Sequence, residues 1–335
     1  MRRHNINHED RKENGRSIGR DLAVFSGNAN RKLAEAICDH LGISLGKALV
    51  GRFPEGEINL QIQDNVRGKD IFIIQPTCSP ANENIMELLL LIDAARRASA
   101  DRITAVLPYY GYARQDRKVR PRVPISAKLV ANLIVSAGAD RLLSMDLHAG
   151  QIQGFFDIPV DHIYSIRPFG AYLSRLGVRN AVVVSPDVGG IKMARAYSKM
   201  LDCPLAIIDK RRDSDTQTKV MNLIGNVKGK NVVMVDDLIS TGGSLAEAAG
   251  VLKQEGAKSI IAVVVHPVLA GNAIEKIMAS KIERLIVSDS IPIPDHKRCN
   301  KIEVISVAPL LGDVIRRVHS HKSVSSLFAK EFVEA

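Results

Sequence analysis

The sequence predicts an α/β protein of two units in series, each a mostly parallel sheet flanked by helices. Two observations carry the class. Short apolar runs alternate with amphipathic stretches from residue 22 to residue 307. Many of the runs are filled by Val, Ile and Leu without polar alternation, as in strands covered on both faces. A third observation carries the pairing of units: the strand–helix series runs twice, with a joint near 160–170 punctuated only by Pro159 and Pro168.

The elements follow in order. Residues 1–20 are polar, basic and aperiodic, and are expected to form a mobile extension without a catalytic role. Strands are predicted at 22–25, 47–52, 71–75, 103–107 and 141–145. A second series is predicted at 181–185, 204–208, 231–235, 260–265, 284–287 and 303–307. Amphipathic helices are predicted at 30–41, 83–99, 125–137, 189–201, 243–255 and 271–278. The expected division is 1–20, 21–165 and 166–320, with a tail, 321–335, packing back on the first unit. No residue-level repeat accompanies the doubling.

A chain of 335 residues with 46% hydrophobic and 24% charged residues can build sizeable cores, which excludes a wholly disordered chain. No apolar run approaches the ~18 residues of a membrane span, and the basic start has no apolar core behind it, so neither a membrane role nor a secretory signal is expected. Four cysteines without metal-ligand spacing read as reduced, cytoplasmic thiols. Lys and Arg exceed Asp and Glu by 46 to 36. That excess fits nucleic acid, an acidic surface or small polyanions, but with 4% aromatics and no Trp few stacking platforms exist for single strands.

The strongest local signal is Val232-Val-Met-Val-Asp-Asp-Leu-Ile-Ser-Thr-Gly-Gly-Ser244. An apolar strand ends in two acids, then a small-residue turn opens a helix. Backbone N–H groups in such a turn converge on an anion, and the helix N-terminus adds partial positive charge. Thr241 and Ser244 add hydroxyl donors beside Gly242 and Gly243. Asp236 and Asp237 would repel a phosphate but suit hydroxyls or a metal-bound polyol beside it, so the pattern points to a sugar phosphate. An ordinary capped turn leaves the paired acids unexplained. The stretch resembles the ribose-phosphate signature of the type I phosphoribosyltransferase fold.

Further stretches narrow the resemblance: Arg52-Phe-Pro-Glu-Gly-Glu57, Pro108-Tyr-Tyr-Gly-Tyr-Ala-Arg-Gln-Asp-Arg-Lys118, Asp146-Leu-His-Ala149, Gln151-Ile-Gln-Gly-Phe-Phe156, Ser185-Pro-Asp-Val-Gly-Gly190, Ile208-Asp-Lys-Arg-Arg212 and Ser323-Val-Ser325. In this order, over about residues 21–329, they resemble the ribose-phosphate pyrophosphokinase family, also called phosphoribosyl pyrophosphate synthetases. The resemblance implies transfer of the diphosphoryl group of ATP to the C1 hydroxyl of D-ribose 5-phosphate, with release of AMP, for nucleotide biosynthesis. It also implies two type I phosphoribosyltransferase-like domains, only the second keeping the sugar-phosphate loop, and a homohexamer whose ATP site is completed across a subunit boundary.

Residue by residue, the resemblance places Arg114 and Gln115 on ATP, suiting a bidentate phosphate fork and an amide for a base or ribose edge. Phe53, Glu55, Gly56 and Glu57 match the adenine-binding segment that reaches from a neighbouring subunit. Asp236, Asp237, Ser240, Thr241, Gly242, Gly243 and Ser244 match the ribose 5-phosphate loop. His148 and Asp187 match Mg²⁺ positions, the carboxylate being the harder ligand. Lys210 and Arg212 fall on the catalytic cationic positions, before a polar segment, 213–219, that could close over the reacting phosphates; Arg212 also faces ribose 5-phosphate. Arg52, Lys118, Arg120, Arg122, Ser323 and Ser325 match an allosteric site where inorganic phosphate activates and ADP inhibits. One departure stands out: Ser240 occupies a position where many members carry Asp.

Two other classes compete. A silent regulatory relative would show damage at the cationic positions, yet Lys210 and Arg212 are intact. A phosphoribosyltransferase, or a nucleic-acid-binding regulator on that fold, explains Ser240 and the +10 charge but not Arg114-Gln115 together with Phe53–Glu57.

Overall fold

The structure, a computed structural model, describes residues 22–212 and 219–328, with the backbone alone for 210–212 and 219–220. The predicted extension 1–20, the segment 213–218 and the end of the tail from 329 lie outside the described residues.

The first half runs β1 (Leu22–Ser26), α1 (Arg31–Leu41), β2 (Ala48–Arg52), β3 (Ile58–Ile62), β4 (Asp70–Ile74), α2 (Ala81–Arg97), β5 (Arg102–Leu107), α3 (Ser126–Ala137), β6 (Arg141–Met145) and β7 (Val160–Ile163). Strands β1-β4-β5-β6-β7 form one wholly parallel sheet. The predicted strand at 47–52 is β2, but it joins neither large sheet: it pairs antiparallel with β3 in a separate hairpin. α1 starts where the Asn30 side chain accepts from Leu33 N–H and stops at Gly42, whose φ of 74° suits the left-handed C-cap.

The second half runs α4 (Ile166–Leu176), β8 (Ala181–Ser185), α5 (Ile191–Met200), β9 (Leu205–Arg212), β10 (Lys219–Ile224), β11 (Asn231–Ile239), α6 (Gly243–Gln254), β12 (Ser259–Pro267), α7 (Ala273–Ala279), β13 (Arg284–Ser288), β14 (Ile302–Ile305) and α8 (Ala308–His319). Its seven strands are ordered β10-β9-β8-β11-β12-β13-β14, parallel except for the edge strand β10. Five elements, β3, β7, β10, α4 and α8, were not expected from the sequence. The strand expected at 204–208 runs on to Arg212, because pairing with β10 supplies partners for its far end.

Successive residues of a strand point to opposite faces, and the cores follow that rule. Phe72 and Ile74 join a core shared with Val183, Val233 and Val263 of the second sheet. Ile71 and Ile73 pack instead with α2 and α3. Val182, Val184 and Val232 pack with α6 and α7. The shared core is filled by α1, α4, α5 and α8, including Leu33, Ile37, Phe169, Tyr197, Leu311 and Ile315. The two sheets are thus joined through one layer of helices. The tail's last described residue, Phe328, is buried against Tyr164 with ring centroids 6.3 Å apart.

Candidate active site

Open α/β sheets bind ligands beyond the carboxyl ends of their strands, where the chain order reverses. The first sheet has no such point, since its strands follow one another in chain order. The second has one: the chain goes from β8 outward to β9 and β10, then returns to place β11 on the other side of β8. Asp187 follows β8, and Asp236, Asp237 and the 240–244 turn lie at the end of β11.

The turn is built for close approach. Gly242 has a φ of 73°, and a Cβ there would meet the Ala273 carbonyl at 3.3 Å. Ser240 O accepts from Ala270 N–H at 2.9 Å, which seats the turn against the segment leading into α7. No side chain caps the first turn of α6, so its N–H groups stay open, and Thr241 and Ser244 are exposed. Lys276 of α7, which sequence reading overlooked, brings its Nζ to 3.9 Å from where a Cβ on Gly243 would stand, and it makes no ion pair among the described residues. Its only sequence signal was a cation three residues beyond a helix start.

Asp187 is braced by its own turn: its Oδ1 accepts from Gly190 N–H at 3.1 Å, and Ser185 Oγ donates to its carbonyl at 2.6 Å. A Cβ on Gly190 would strike Ser185 Oγ at 2.7 Å.

His148 meets the second half directly. Its Nδ1 lies 2.6 Å from Oδ2 of Asp237, 89 residues away. The segment before it is tightly held: Asp146, at φ 40°, donates its N–H to Ile163 O at 2.9 Å and accepts from Ser165 N–H at 2.8 Å. Leu147 N–H donates to His162 Nε2 at 3.0 Å.

The electrostatics separate the neighbouring acids. Burial would raise Asp237, but the hydrogen bond and charge of His148 outweigh it and hold its carboxyl below the usual range. Asp236 is pushed well up by burial, then by Asp237 and Asp187. His148 is raised by its bond to Asp237, with burial working against it and the nearby Arg114 charge lowering it slightly. Asp236 and Asp187 therefore form an acid-rich corner that a proton or a hard cation would relieve, which fits oxygen-ligated Mg²⁺ chemistry. No group of three or more His, Cys, Asp or Glu among the described residues could hold a metal ion alone. Such an ion would draw on ligand oxygens and waters as well.

The other predicted residues fall in three places. Arg114 and Gln115 are exposed on the loop after β5, near the His148–Asp237 pair through the Arg114 charge. Gln115 Oε1 accepts from Ser126 Oγ at 2.6 Å, which orients the amide. Gly111 fixes the loop's path, since a Cβ there would strike Thr77 O at 2.2 Å. Phe53, Glu55, Gly56 and Glu57 are exposed at the β2–β3 tip, closed by Gly56 N–H to Phe53 O at 2.9 Å with Gly56 at φ 97°. Lys210 and Arg212, expected just past a strand, stand instead on β9 opposite Met221 and Lys219 of β10; their side chains lie outside the described residues.

The set expected to bind inorganic phosphate is only partly gathered. Ser323 Oγ and Ser325 Oγ are 2.9 Å apart, and Arg317, which sequence reading missed, donates to Ser323 O at 2.9 Å. Arg52 pairs with Glu83 and donates to Gly56 O, while Lys118, Arg120 and Arg122 are exposed. No hydrogen bond or ion pair among the described residues joins those four cations to the two serines. A cleft of about 850 Å³ between the α1 N-terminus and residues 289–304 holds none of the predicted site residues.

Comparison with known proteins accords with this geometry. Residues 22–138 match the family described as the N-terminal domain of ribose phosphate pyrophosphokinase, and residues 214–329 match the phosphoribosyl synthetase-associated domain. A ribose-phosphate pyrophosphokinase of Helicobacter pylori is 52% identical over 309 residues, covering 92% of this chain and 96% of that protein. One of Rhizobium meliloti is 54% identical over 309 residues, covering 92% and 100%. The crystal structure of phosphoribosylpyrophosphate synthetase from Mycobacterium smegmatis superposes with a TM-score of 0.85 at 40% identity, covering 90% of this chain and 99% of that one. The chain belongs to the ribose-phosphate pyrophosphokinase family.

Proposed function

We propose that the protein transfers the diphosphoryl group of ATP to the C1 hydroxyl of ribose 5-phosphate, giving 5-phosphoribosyl 1-diphosphate and AMP. The observation that carries the reading is the switch point of the second sheet. An open helix N-terminus and an acid pair share one strand end there, facing His148 from the first half.

The 5′-phosphate seats on the N–H groups of 241–244, with the Thr241 and Ser244 hydroxyls and the Lys276 ammonium beside it. Asp237, kept ionised by His148, accepts from the ribose hydroxyls, and Asp236 and Ser240 flank it. Arg114 and Gln115 hold ATP, and Phe53, Glu55, Gly56 and Glu57 cover its base from a neighbouring subunit. The exposed tip of a hairpin that pairs with neither large sheet supports that exchange. The C1 hydroxyl oxygen attacks the β-phosphorus and gives up its proton to solvent, the bond from that phosphorus to the α-phosphate oxygen breaks, and AMP leaves. Positioning and charge neutralisation suffice for such a transfer, so no side chain need be a strong base. Lys210 and Arg212 place positive charge on the β9 end, where negative charge spreads in the transition state. Asp187 and His148, with Asp236 beside them, would hold Mg²⁺, which would supply charge neutralisation to the phosphate oxygens.

The active assembly is a homohexamer working in the cytoplasm, to which the four unpaired cysteines are suited. No helix among the described residues is long and apolar enough to cross a membrane. Inorganic phosphate and ADP act at the Arg52, Lys118, Arg120, Arg122, Ser323 and Ser325 set, drawn together between subunits.

Incubation with ATP, Mg²⁺ and ribose 5-phosphate tests the reading. AMP should form only when the sugar phosphate is present, and nucleotide turnover independent of it would refute the assignment.

A further inference from the structure

We propose that His266 is a positioning residue: rooted in β12 of the second sheet, its ring holds the Met145–His148 segment and the Tyr109 ring of the first half in register with Asp237. The inference rests on the reading of His148 and Asp237 as parts of the reaction site.

His266 is 2% exposed and lies opposite Leu238 of β11 in the parallel register, one residue past Asp237. Its Nε2 stands 3.2 Å from Met145 O and 3.3 Å from Asp146 O, each 120 residues or more away in sequence. Carbonyl oxygens only accept, so Nε2 carries the hydrogen and donates to both. Nδ1 then accepts from Ser290 Oγ at 2.9 Å, and Ser288 Oγ lies 2.8 Å behind it. The two carbonyls thus fix the tautomer, and Ser290 anchors the opposite ring nitrogen. The ring also meets Tyr109 edge-on, with centroids 5.1 Å apart and planes at 61°. Tyr109 begins the loop that ends at Arg114 and Gln115, and its carbonyl accepts from Thr77 N–H at 3.0 Å.

One side chain of the sugar-side sheet therefore touches both segments that would present ATP and metal groups. Neither contact reaches a substrate, so the effect is on geometry. A displacement of the 145–148 segment by about 1 Å would carry His148 away from Asp237, and misplacement of that size costs on the order of a hundredfold in rate.

Two variants of similar polarity separate this role from mere packing. His266→Gln can put an amide N–H where Nε2–H stands and keep the bond to the Met145 and Asp146 carbonyls. His266→Asn reaches only the Nδ1 position and loses that bond. Steady-state kinetics, thermal melting and hydrogen exchange of peptides spanning 143–149 are measured on both. The Asn variant should lose roughly 10–100-fold in kcat, with its KM for ribose 5-phosphate within about threefold of wild type. Amide exchange in 143–149 should rise in the Asn variant alone, with the Gln variant close to wild type. Equal losses in both variants, or unchanged exchange in the Asn variant, would overturn the proposal. Should wild type form no AMP while the exchange contrast holds, the functional reading fails and the positioning role stands. If the Asn variant does not fold, Ser290→Ala frees the ring to turn without removing it, and the same comparison decides.

Discussion

Nδ1 of His148 and Oδ2 of Asp237 stand 2.6 Å apart, so a loop that closes the first sheet is tied to the strand end at the heart of the second. The imidazole's raised pKa comes first from that bond. Asp237→Asn should therefore return His148 towards the ordinary histidine value of about 6.5, read by NMR titration in metal-free buffer. Turnover should fall by at least about a hundredfold, since an ionised acceptor for the ribose hydroxyls is lost. An unaltered His148 titration would show that the pair does not form in solution.

Lys276→Ala should raise the KM for ribose 5-phosphate about fivefold and leave kcat within about twofold. A hydrogen bond to a charged group contributes about 1.5–3 kcal/mol when buried, and this half-exposed ammonium should give roughly 1 kcal/mol. Lys276→Arg should recover most of the affinity. A KM unchanged in the alanine variant would remove Lys276 from the phosphate seat.

Gly111→Ala should damage the ATP side selectively. Its Cβ would lie 2.2 Å from Thr77 O, a backbone atom that cannot swing aside, so the loop to Arg114 must shift. The expected cost is roughly 1–3 kcal/mol of stability with a raised KM for ATP. Gly150→Ala, which meets nothing within 4 Å, is the control and should change neither.

His162 supplies a pH test. Burial lowers its pKa to about 4, because the buried ring resists charging while the unfolded one titrates near 6.5. A folded pKa below the unfolded one means stability that is full above about pH 6.5 and is lost as pH falls towards 4. Between pH 7 and pH 5 that loss is about 2 kcal/mol. His266, also near 4, acts in the same direction, whereas the buried Asp146, raised to about 7, gains stability as pH falls and opposes them. The comparison is therefore a difference between proteins: the stability deficit of His162→Gln relative to wild type should shrink by about 2 kcal/mol on acidification from pH 7 to pH 5. Urea unfolding at both values reads it, and a constant deficit would show that the ring titrates freely.

The strands that sequence reading located best, such as 71–75, 181–185 and 260–265, are the ones buried on both faces. Their apolar filling is dictated by local chemistry. The missed helices failed for one shared reason. α8 has Leu311, Val314, Ile315 and Val318 at helical spacing, but Gly312 interrupts it; a Cβ there would strike the His40 ring of α1 at 2.6 Å. α4 holds Gly170, where a Cβ would meet Met200 Sδ at 2.1 Å. Both glycines serve contacts between helices, which a local pattern reports as breaks. In the site, the 236–244 strand and turn were legible because the anion nest and its acids are contiguous. The His148–Asp237 contact, the Lys276 approach and the His266 clamp were not, since each joins segments that only the completed fold brings together.

The packing of α8 on α1, with Phe328 on Tyr164, also sets an order on synthesis. The first sheet and its α2–α3 cover can close once β7 has left the ribosome, yet the apolar stripe of Leu33, Ile37 and Leu41 then waits for Leu311 and Ile315. At about 5–20 residues per second that wait is roughly eight to thirty seconds. The nascent protein therefore spends a large share of its translation with one seam bare, and a chain cut short before α8 would keep that sticky surface for good, an invitation to chaperones or to clumping.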